Sequence, residues 1–480
     1  MQLIFDKSRP GRRAITWDNL DVTEKTGLPA ECLRMVPPAL PELGELDVVR
    51  HFTRLSQRNV GIDDTFYPLG SCTMKYNPKI AEVAAAQPGF AGLHPHLSSS
   101  ESYWETCQGA LELVYELERL LAEIAGMEAS SLQPIAGAHG ELTGALLMAA
   151  YHRDRGHAHK DTIIVPDSAH GTNPASAVVA GFKVVEVPSD ANGQINLDKF
   201  RAAMTDNVAG IMLTCPNTHG LFEEQVQEIA KAAHAVDALL YYDGANLNAI
   251  IGQCRPGDLG FDVMHYNLHK TFATPHGMGG PGCGPVGVAK RLVPYLPGPR
   301  VVKRDAGFAL VIPEKSIGRV AAFFGNFLIA VRAYAYLRYY GDEGLKDISR
   351  VAVLNANYIH ARLKEAFKPA FDGRFMHECL FSAVPQAEHG VHAMDIAKAL
   401  LDYGFHAPTV YFPLTVKECL MIEPTETESK ETLDQFCDAM LDIAERAIHD
   451  PEALQTAPTS TPVGRLDEVR AARELNCACL

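Results

Sequence analysis

The segment from Asp262 to Val288, DVMHYNLHKTFATPHGMGGPGCGPVGV, sets one lysine, Lys270, after an apolar run and before a loop with six glycines between Gly277 and Gly287. An amine at a strand end, in the run His269-Lys270-Thr271, suits a Schiff-base lysine. It must be partly desolvated to attack a carbonyl, and small neighbours must let a cofactor and its substrate come close. An isolated lysine is ordinarily a solvated surface residue, so the surroundings carry this reading. Twenty-seven residues upstream, LLYYDGAN (Leu239–Asn246) is an apolar strand ending in Asp243. A carboxylate there can keep the pyridine nitrogen of pyridoxal 5'-phosphate protonated, which makes the ring an electron sink. The plainer alternative is a turn or helix-capping aspartate. Asn246 is placed to hydrogen-bond the cofactor's phenolic oxygen.

Two more loops add to this set. Gly137-Ala138-His139-Gly140-Glu141 opens a predicted helix after strand-like Ser131–Ile135. Free backbone N–H groups at a positive helix end bind phosphate, although Gly-x-x-Gly before a helix is also a common turn. Ser168-Ala169-His170-Gly171-Thr172-Asn173-Pro174 follows a predicted strand, and its His170 either lies flat on the ring or is merely solvated.

Such loops must be held by a sheet. From Glu101, apolar residues recur every three or four positions (Trp104, Cys107, Leu111, Val114, Leu117, Leu121, Ile124) and predict a helix that stops at Gly126. Short apolar runs then alternate with helical stretches. The strands are Thr162–Val165, Lys183–Val187, Gly210–Leu213, Leu239–Tyr242 and Val263–His265; the helices are Leu197–Met204 and Glu223–Ala235. That rhythm predicts βαβ units and a mostly parallel sheet, with ligands at the carboxyl ends of its strands. Beyond Pro313 helices dominate (Gly318–Tyr340, Ile348–Phe367, His392–Tyr403, Lys430–Ile448), with strands near Cys379–Val384 and Cys419–Ile422. The expected organisation is an N-terminal arm over residues 1–95 and a large α/β domain over 96–312. A small α+β domain over 313–450 and a tail over 451–480 with a short helix at Arg465–Leu475 complete it. Cys477 and Cys479 in that tail are two ligands at most, too few for a metal site, and no metal is expected.

Composition narrows the function further. The 480 residues carry a net charge of −15, with the acidic excess spread along the chain, which argues against nucleic-acid binding. The longest apolar stretch, Val320 to Val331, is interrupted by Gly325 and Asn326 and falls short of the roughly 20 residues of a membrane span. Eleven cysteines without a regular framework suit a reducing cytosol. A cytoplasmic protein is expected.

The motifs AHGE, SAHGTNPASA, TCPNTHGLFE, YYDGANLNA and HYNLHKTFATPHGMGGPGCGP are accompanied by upstream YPLGSCTMKYNPK and downstream PTVYFPLTVKECLMIEPTETES. In this order they resemble the P-protein of the glycine cleavage system, a pyridoxal-phosphate-dependent glycine decarboxylase, from about Asp64 to about Glu431. The long single-chain form carries the cofactor lysine in its second half, so a chain of this length resembles subunit 2 of the two-gene form. The resemblance implies a fold-type I, PLP-dependent transferase-like fold. It also implies Lys270 as the cofactor lysine, Asp243 on the pyridine nitrogen, His170 stacked on the ring and Ala138-His139 near the phosphate. Asn246, His269 and Thr271 fall close by. Ser71, Cys72 and Thr73 match a loop that approaches the substrate, and Lys270, His170 and His269 are the groups for proton handling. Ala273-Thr274 and Met278 depart from the family's usual Cys-Ile and Gly.

The implied reaction removes CO2 from glycine and transfers the aminomethyl group to the lipoyl group of the H-protein. The implied partner is the homologous subunit 1, most simply with two copies of each chain. Other fold-type I activities (cysteine desulfurase, aldolase, amino-acid decarboxylase) share the lysine and aspartate. A desulfurase would need a mobile cysteine in the small domain, whereas Cys379 and Cys419 lie in apolar runs. A non-catalytic scaffold subunit would have no need of Lys270 and Asp243.

Overall fold

The computed structural model describes residues 2–16, 27–36, 38–100, 103–275, 282–323 and 325–475. The positions of Met278, Cys477 and Cys479 lie outside the described residues. The chain divides into two units, Met1–Asp64 and Thr65–Leu480. In the first, Glu42 clasps the N-terminal turn: its amide donates to Ser8 Oγ at 2.8 Å, and its carboxylate accepts from Gly11 N at 2.6 Å. A helix, Glu45–Ser56, follows, with Glu45 and Asp47 at its positive end. The sequence shows only brief periodic patches in this region, so a twelve-residue helix goes beyond what was expected.

The second unit is built on a seven-stranded sheet. Its strands are β1 (Ala129–Ser131), β2 (Thr162–Pro166), β3 (Lys183–Val187), β4 (Val208–Thr214), β5 (Leu239–Gly244), β6 (Val263–Tyr266) and β7 (Val286–Val288). They lie in the order β1-β7-β6-β5-β4-β2-β3. Neighbours from β3 to β6 pair in parallel, and only β7 is reversed. The carboxyl ends of β1, β2, β4, β5 and β6 therefore share one edge. The central strands are buried on both faces, as parallel strands under two helical layers must be. Leu240, Tyr242 and Met264 pack toward the helices Gln108–Ala125 and Val226–Ala235, while Tyr241, Val263 and Met212 pack toward the helix Gly137–Asp154. Gly144 permits that second contact, because a Cβ there would sit 2.3 Å from Tyr241 Cε2.

A hairpin, β8 (Arg300–Arg304) and β9 (Gly307–Val311), covers the helix Gln108–Ala125. The predicted helix Gly318–Tyr340 starts only at Phe327. Gly318 and Gly325 take left-handed φ of +91° and +82°, which no helix continues through. From Phe327 the helix runs to Leu363 with a break at Gly341, so the predicted Ile348–Phe367 helix is its continuation. A four-stranded antiparallel sheet follows: β10 (Lys368–Pro369), β11 (Cys379–Ser382), β12 (Thr409–Val410) and β13 (Cys419–Ile422), ordered β10-β11-β13-β12. The helices Ala393–Asp402 and Lys430–His449 supply its apolar cover. The tail helix is shorter than expected, Glu468–Arg473.

The chain after Thr65 is laid into this small sheet. Phe66 packs edge-on against Phe436, and Leu69 bridges to Ile422 at the end of β13. Gly70 allows the approach, since a Cβ there would stand 2.2 Å from Met421 Cγ. Among the described residues no helix is long and apolar enough to cross a membrane, and the nine cysteines there are unpaired.

Candidate active site

A cavity of about 300 Å³ opens where the parallel strands end. The strands contribute residues from their carboxyl ends and from the turns that follow. The turn after β2 brings His170, β4 ends in Thr214, β5 carries Asp243 as its penultimate residue and is followed by Asn246, and the turn after β6 brings Asn267, His269 and Lys270. Register sets Thr214 beside Asp243 and Asp243 beside His265 across β4, β5 and β6. The fifth wall is the start of the helix Gly137–Asp154, where Gly137 and Ala138 line the cavity and no side chain caps the end.

Lys270 is half-buried, and its Nζ donates to the carbonyl of Ser71 at 2.5 Å. Lys75, the nearby alternative amine, is committed elsewhere: it is buried and donates to Glu426, Tyr336 and Asn248. Asp243 is 3% exposed and accepts from Asn173 Nδ2 at 3.0 Å, from Ala245 N at 3.0 Å and from Thr214 Oγ1 at 3.3 Å. Burial pushes its carboxyl up. The His265 ring, the Ala245 N–H, the Asn173 amide and the Lys270 ammonium offset this and hold it below the ordinary value. His265 is wholly buried and pushed down to about 4, so its ring is neutral at neutral pH. Its Nδ1 lies 2.6 Å from Tyr241 OH, and its Nε2 lies 3.6 Å from Asp243 Oδ1 and 4.0 Å from Glu141 Oε1. Glu141 is pushed up to about 9, by burial first and the Asp243 charge second. Two carboxyls share this corner, and Asp243, the better supplied with donors, is the ionised one.

The loop 71–73 closes the cavity from the small-sheet side. Ser71 and Thr73 have left-handed φ of 65° and 52°, a strained conformation for residues with a Cβ. Two acids hold them there. Glu378 accepts from Ser71 N at 2.9 Å, and Glu423 accepts from Thr73 N and Thr73 Oγ1 at 3.1 and 2.8 Å. Asn246 joins this set, donating to Glu423 at 2.7 Å.

Of the residues expected from sequence, Lys270, Asp243, Asn246, His170, His269, Ala138, Ser71 and Cys72 line the cavity. His170 is exposed, with its ring centroid 6.1 Å from that of Phe412. Its imidazole is pushed below the ordinary value, mainly because the surrounding protein displaces part of its water, with the Lys270 ammonium adding to this and the Asp243 charge opposing it. His269 accepts at Nδ1 from Cys283 N at 3.4 Å. Three expected residues are turned elsewhere. His139 accepts from Ile135 N, Thr271 Oγ1 accepts from Leu247 N at 2.8 Å, and Thr73 is spent on Glu423. Sequence reasoning missed Glu141, His265, His377, Glu378 and Glu423. An acid abutting an apolar strand, the signal used for Asp243, also marks Glu378 before β11 and Glu423 after β13.

The residues fit pyridoxal phosphate. An amine, an ionised carboxylate and an uncapped helix end face one cavity, and buried Glu141 Oε2 and His265 Nε2 have no protein hydrogen-bond partner. Residues 105–288 match the family described as aminotransferase class I and II, and residues 348–461 match glycine dehydrogenase, C-terminal domain. The chain is similar to a probable glycine dehydrogenase (decarboxylating) subunit 2 of Caldanaerobacter subterraneus subsp. tengcongensis. Identity is 56% over 98% of this chain and 97% of that one. A protein of the same description from Methylococcus capsulatus is 54% identical over 99% and 98% of the two chains. Among solved structures, an inhibitor-bound glycine decarboxylase (P-protein) of the glycine cleavage system superposes with a TM-score of 0.71. That match is 24% identical and covers 87% of this chain and 93% of that chain. A cysteine desulfurase of Thermococcus onnurineus superposes with a TM-score of 0.61 at 17% identity over 80% and 95%.

Proposed function

The chain belongs to the glycine dehydrogenase (decarboxylating) subunit 2 family, and on that premise we propose that it is the cofactor-bearing subunit of a glycine-decarboxylating enzyme. The substrate is glycine, the cofactor is pyridoxal phosphate, and the aminomethyl group passes to the lipoyl disulfide of the H-protein. The observation that carries the reading is the pairing of Lys270 with Asp243 in one cavity, from the ends of adjacent strands.

When bound, pyridoxal phosphate supplies an electron sink for the pair released with CO2. Asp243 keeps the ring nitrogen protonated, because three donors hold its carboxylate ionised. The backbone N–H groups at Gly137 and Ala138 bind the phosphate. Lys270 would hold the cofactor and would accept or return a proton at Nζ. His170 would lie against the bound cofactor, and His269 would steady the lysine turn.

A desulfurase reading finds no support in the small domain, where Cys379 and Cys419 are fully buried within β11 and β13. The relatives' names imply a subunit 1 beside this chain. The simplest assembly has two copies of each, in the cytoplasm. Borohydride reduction followed by peptide mapping tests the cofactor site, with the pyridoxyl group expected on Lys270. Glycine–bicarbonate exchange with subunit 1 and lipoylated H-protein tests the activity. A label on another lysine, or exchange absent from the complete mixture, refutes the corresponding half.

A further inference from the structure

Glu378 and Glu423 are 2% and 0% exposed, and among the described residues no lysine or arginine forms an ion pair with either carboxylate. Glu378 immediately precedes β11 and Glu423 immediately follows β13. Because Cys379 pairs with Ile422 in the antiparallel register, the two acids stand directly opposite each other. Like charges placed so are destabilising, and in a dry setting one of two such carboxyls keeps its proton. The donors decide which one. Glu423 receives hydrogen bonds from Thr73 N, Thr73 Oγ1 and Asn246 Nδ2, and Glu378 receives one, from Ser71 N. Glu378 also lines the cavity, whereas Glu423 lies behind the loop.

We propose that Glu378 faces the cavity as a neutral carboxylic acid and is the proton donor of the transfer half of the reaction. The role rests on the functional reading above. When a carbon nucleophile opens the carrier's disulfide, a C–S bond forms, the S–S bond breaks and the released sulfur leaves with its electron pair. The O–H bond of Glu378 then breaks, an S–H bond forms, and solvent later returns a proton to the carboxylate. Oε2 is engaged with Ser71 N, so Oε1 is the donating atom.

The charged and titratable groups facing Glu378 are Glu423, Lys270, His377, Cys72, Cys379 and Cys419. Burial and the Glu423 charge push Glu378 up to about 8, while Lys270 and the Ser71 N–H act the other way. His377, whose Nε2 stands 3.8 Å from Glu378 Oε1, is pushed down to about 3 by burial and stays neutral, so it does not offset Glu423. A carboxyl in that range matches a thiol of pKa about 8.5, and near-matched partners exchange a proton with little driving force lost.

Infrared spectroscopy of the full chain at neutral pH tests the protonation state without turnover. The wild-type minus E378Q difference should contain one protonated-carboxyl C=O band. E423Q should keep that band but move its disappearance to lower pH, because the opposing charge is gone. The amide oxygen that E378Q introduces can still accept from Ser71 N; if E378Q does not fold, the band's shift in E423Q carries the test. In the complex with subunit 1, E378Q should lower kcat about a hundredfold or more with the visible cofactor spectrum unmoved. No band lost in E378Q, or no shift in E423Q, overturns the assignment of the neutral acid. A band with kcat unchanged overturns its catalytic role. A wild-type band with no glycine-dependent exchange in the complete system instead refutes the functional reading and leaves the neutral acid standing.

Discussion

Lys75 offers a direct measure of what holds the loop 71–75 in place. The residue is 3% exposed, and its ammonium finds Glu426 Oε1 at 2.7 Å, Tyr336 OH at 3.1 Å and Asn248 Oδ1 at 3.2 Å, one acceptor for each proton. Burial lowers its pKa, and Glu426 works against that loss. Lys75→Met preserves the stem but leaves the Glu426 carboxylate, whose side chain is 8% exposed, without a cation, with Asn248 Nδ2 at 3.3 Å and Tyr336 OH as its remaining, neutral partners in the set. Breaking a buried pair by removing one member costs about 3–5 kcal/mol, a large share of the roughly 5–15 kcal/mol that holds a domain folded. Replacing both members with apolar groups removes the stranded charge, so Lys75→Met with Glu426→Leu should recover at least half of that loss. The double-mutant cycle should give a coupling of about 2 kcal/mol or more. Urea unfolding of the full chain, with midpoints compared at a common slope, is the assay. A coupling below about 1 kcal/mol, the value of an exposed pair, would refute the placement of these charges in a dry interior.

Asp243→Asn should still capture the cofactor aldehyde on Lys270 but lose about a hundredfold or more in glycine exchange, the scale of one preorganised electrostatic partner; activity within twofold of the parent would count against the electron-sink role. Glu118 is buried and pushed up to about 7, chiefly by desolvation. Its folded pKa lies above the ordinary 4.5, so the folded chain binds the extra proton between those values, and this contribution to stability falls as pH rises from about 4.5 through about 7. Glu118→Gln should flatten that part of the urea-midpoint profile, and an unchanged profile would refute the burial argument. Gly70→Ala must displace Met421, whose Cγ and carbonyl stand 2.2 and 2.8 Å from the new Cβ. A loss of about 1–3 kcal/mol is expected from such overpacking, read as a lower urea midpoint. The isolated chain should exchange glycine poorly and gain activity when mixed with subunit 1; full exchange by a homodimer on sizing would overturn the two-subunit reading.

Lys270 and Asp243 were legible because each combines two local signals, a reactive side chain and the end of an apolar run. The strands around them were legible for the same reason, since burial on both faces leaves unbroken apolar segments. The glycines at 318, 325 and 341 were harder, because a helix period continues through them in sequence and only the left-handed backbone shows the break. The direction of the His139 side chain has a geometric reason. His139 follows Gly137 by two residues, and two steps of a helix turn a side chain well away from the first direction, here back toward Ile135.

The acids were hidden for a different reason, which concerns pairing across distance. Glu378 and Glu423 are forty-five residues apart, and each alone is an acid beside a strand. Their chemistry exists only because β11 and β13 pair in the register that sets Cys379 against Ile422. A slip of one residue would change which residue stands opposite Glu378 and turn one acid to the other face. The same register supplies Thr73 and Asn246 to one acid and leaves the other with a single donor. Asp243 and Glu141 repeat the pattern on the opposite wall, with one carboxyl well supplied with donors and ionised, and the other poorly supplied and neutral. Lys270 thus stands between two unequal pairs of acids, each offering one fixed negative charge and one held proton. For a site that must keep a ring protonated and then quench a leaving anion, that inequality is the physical content of the fold.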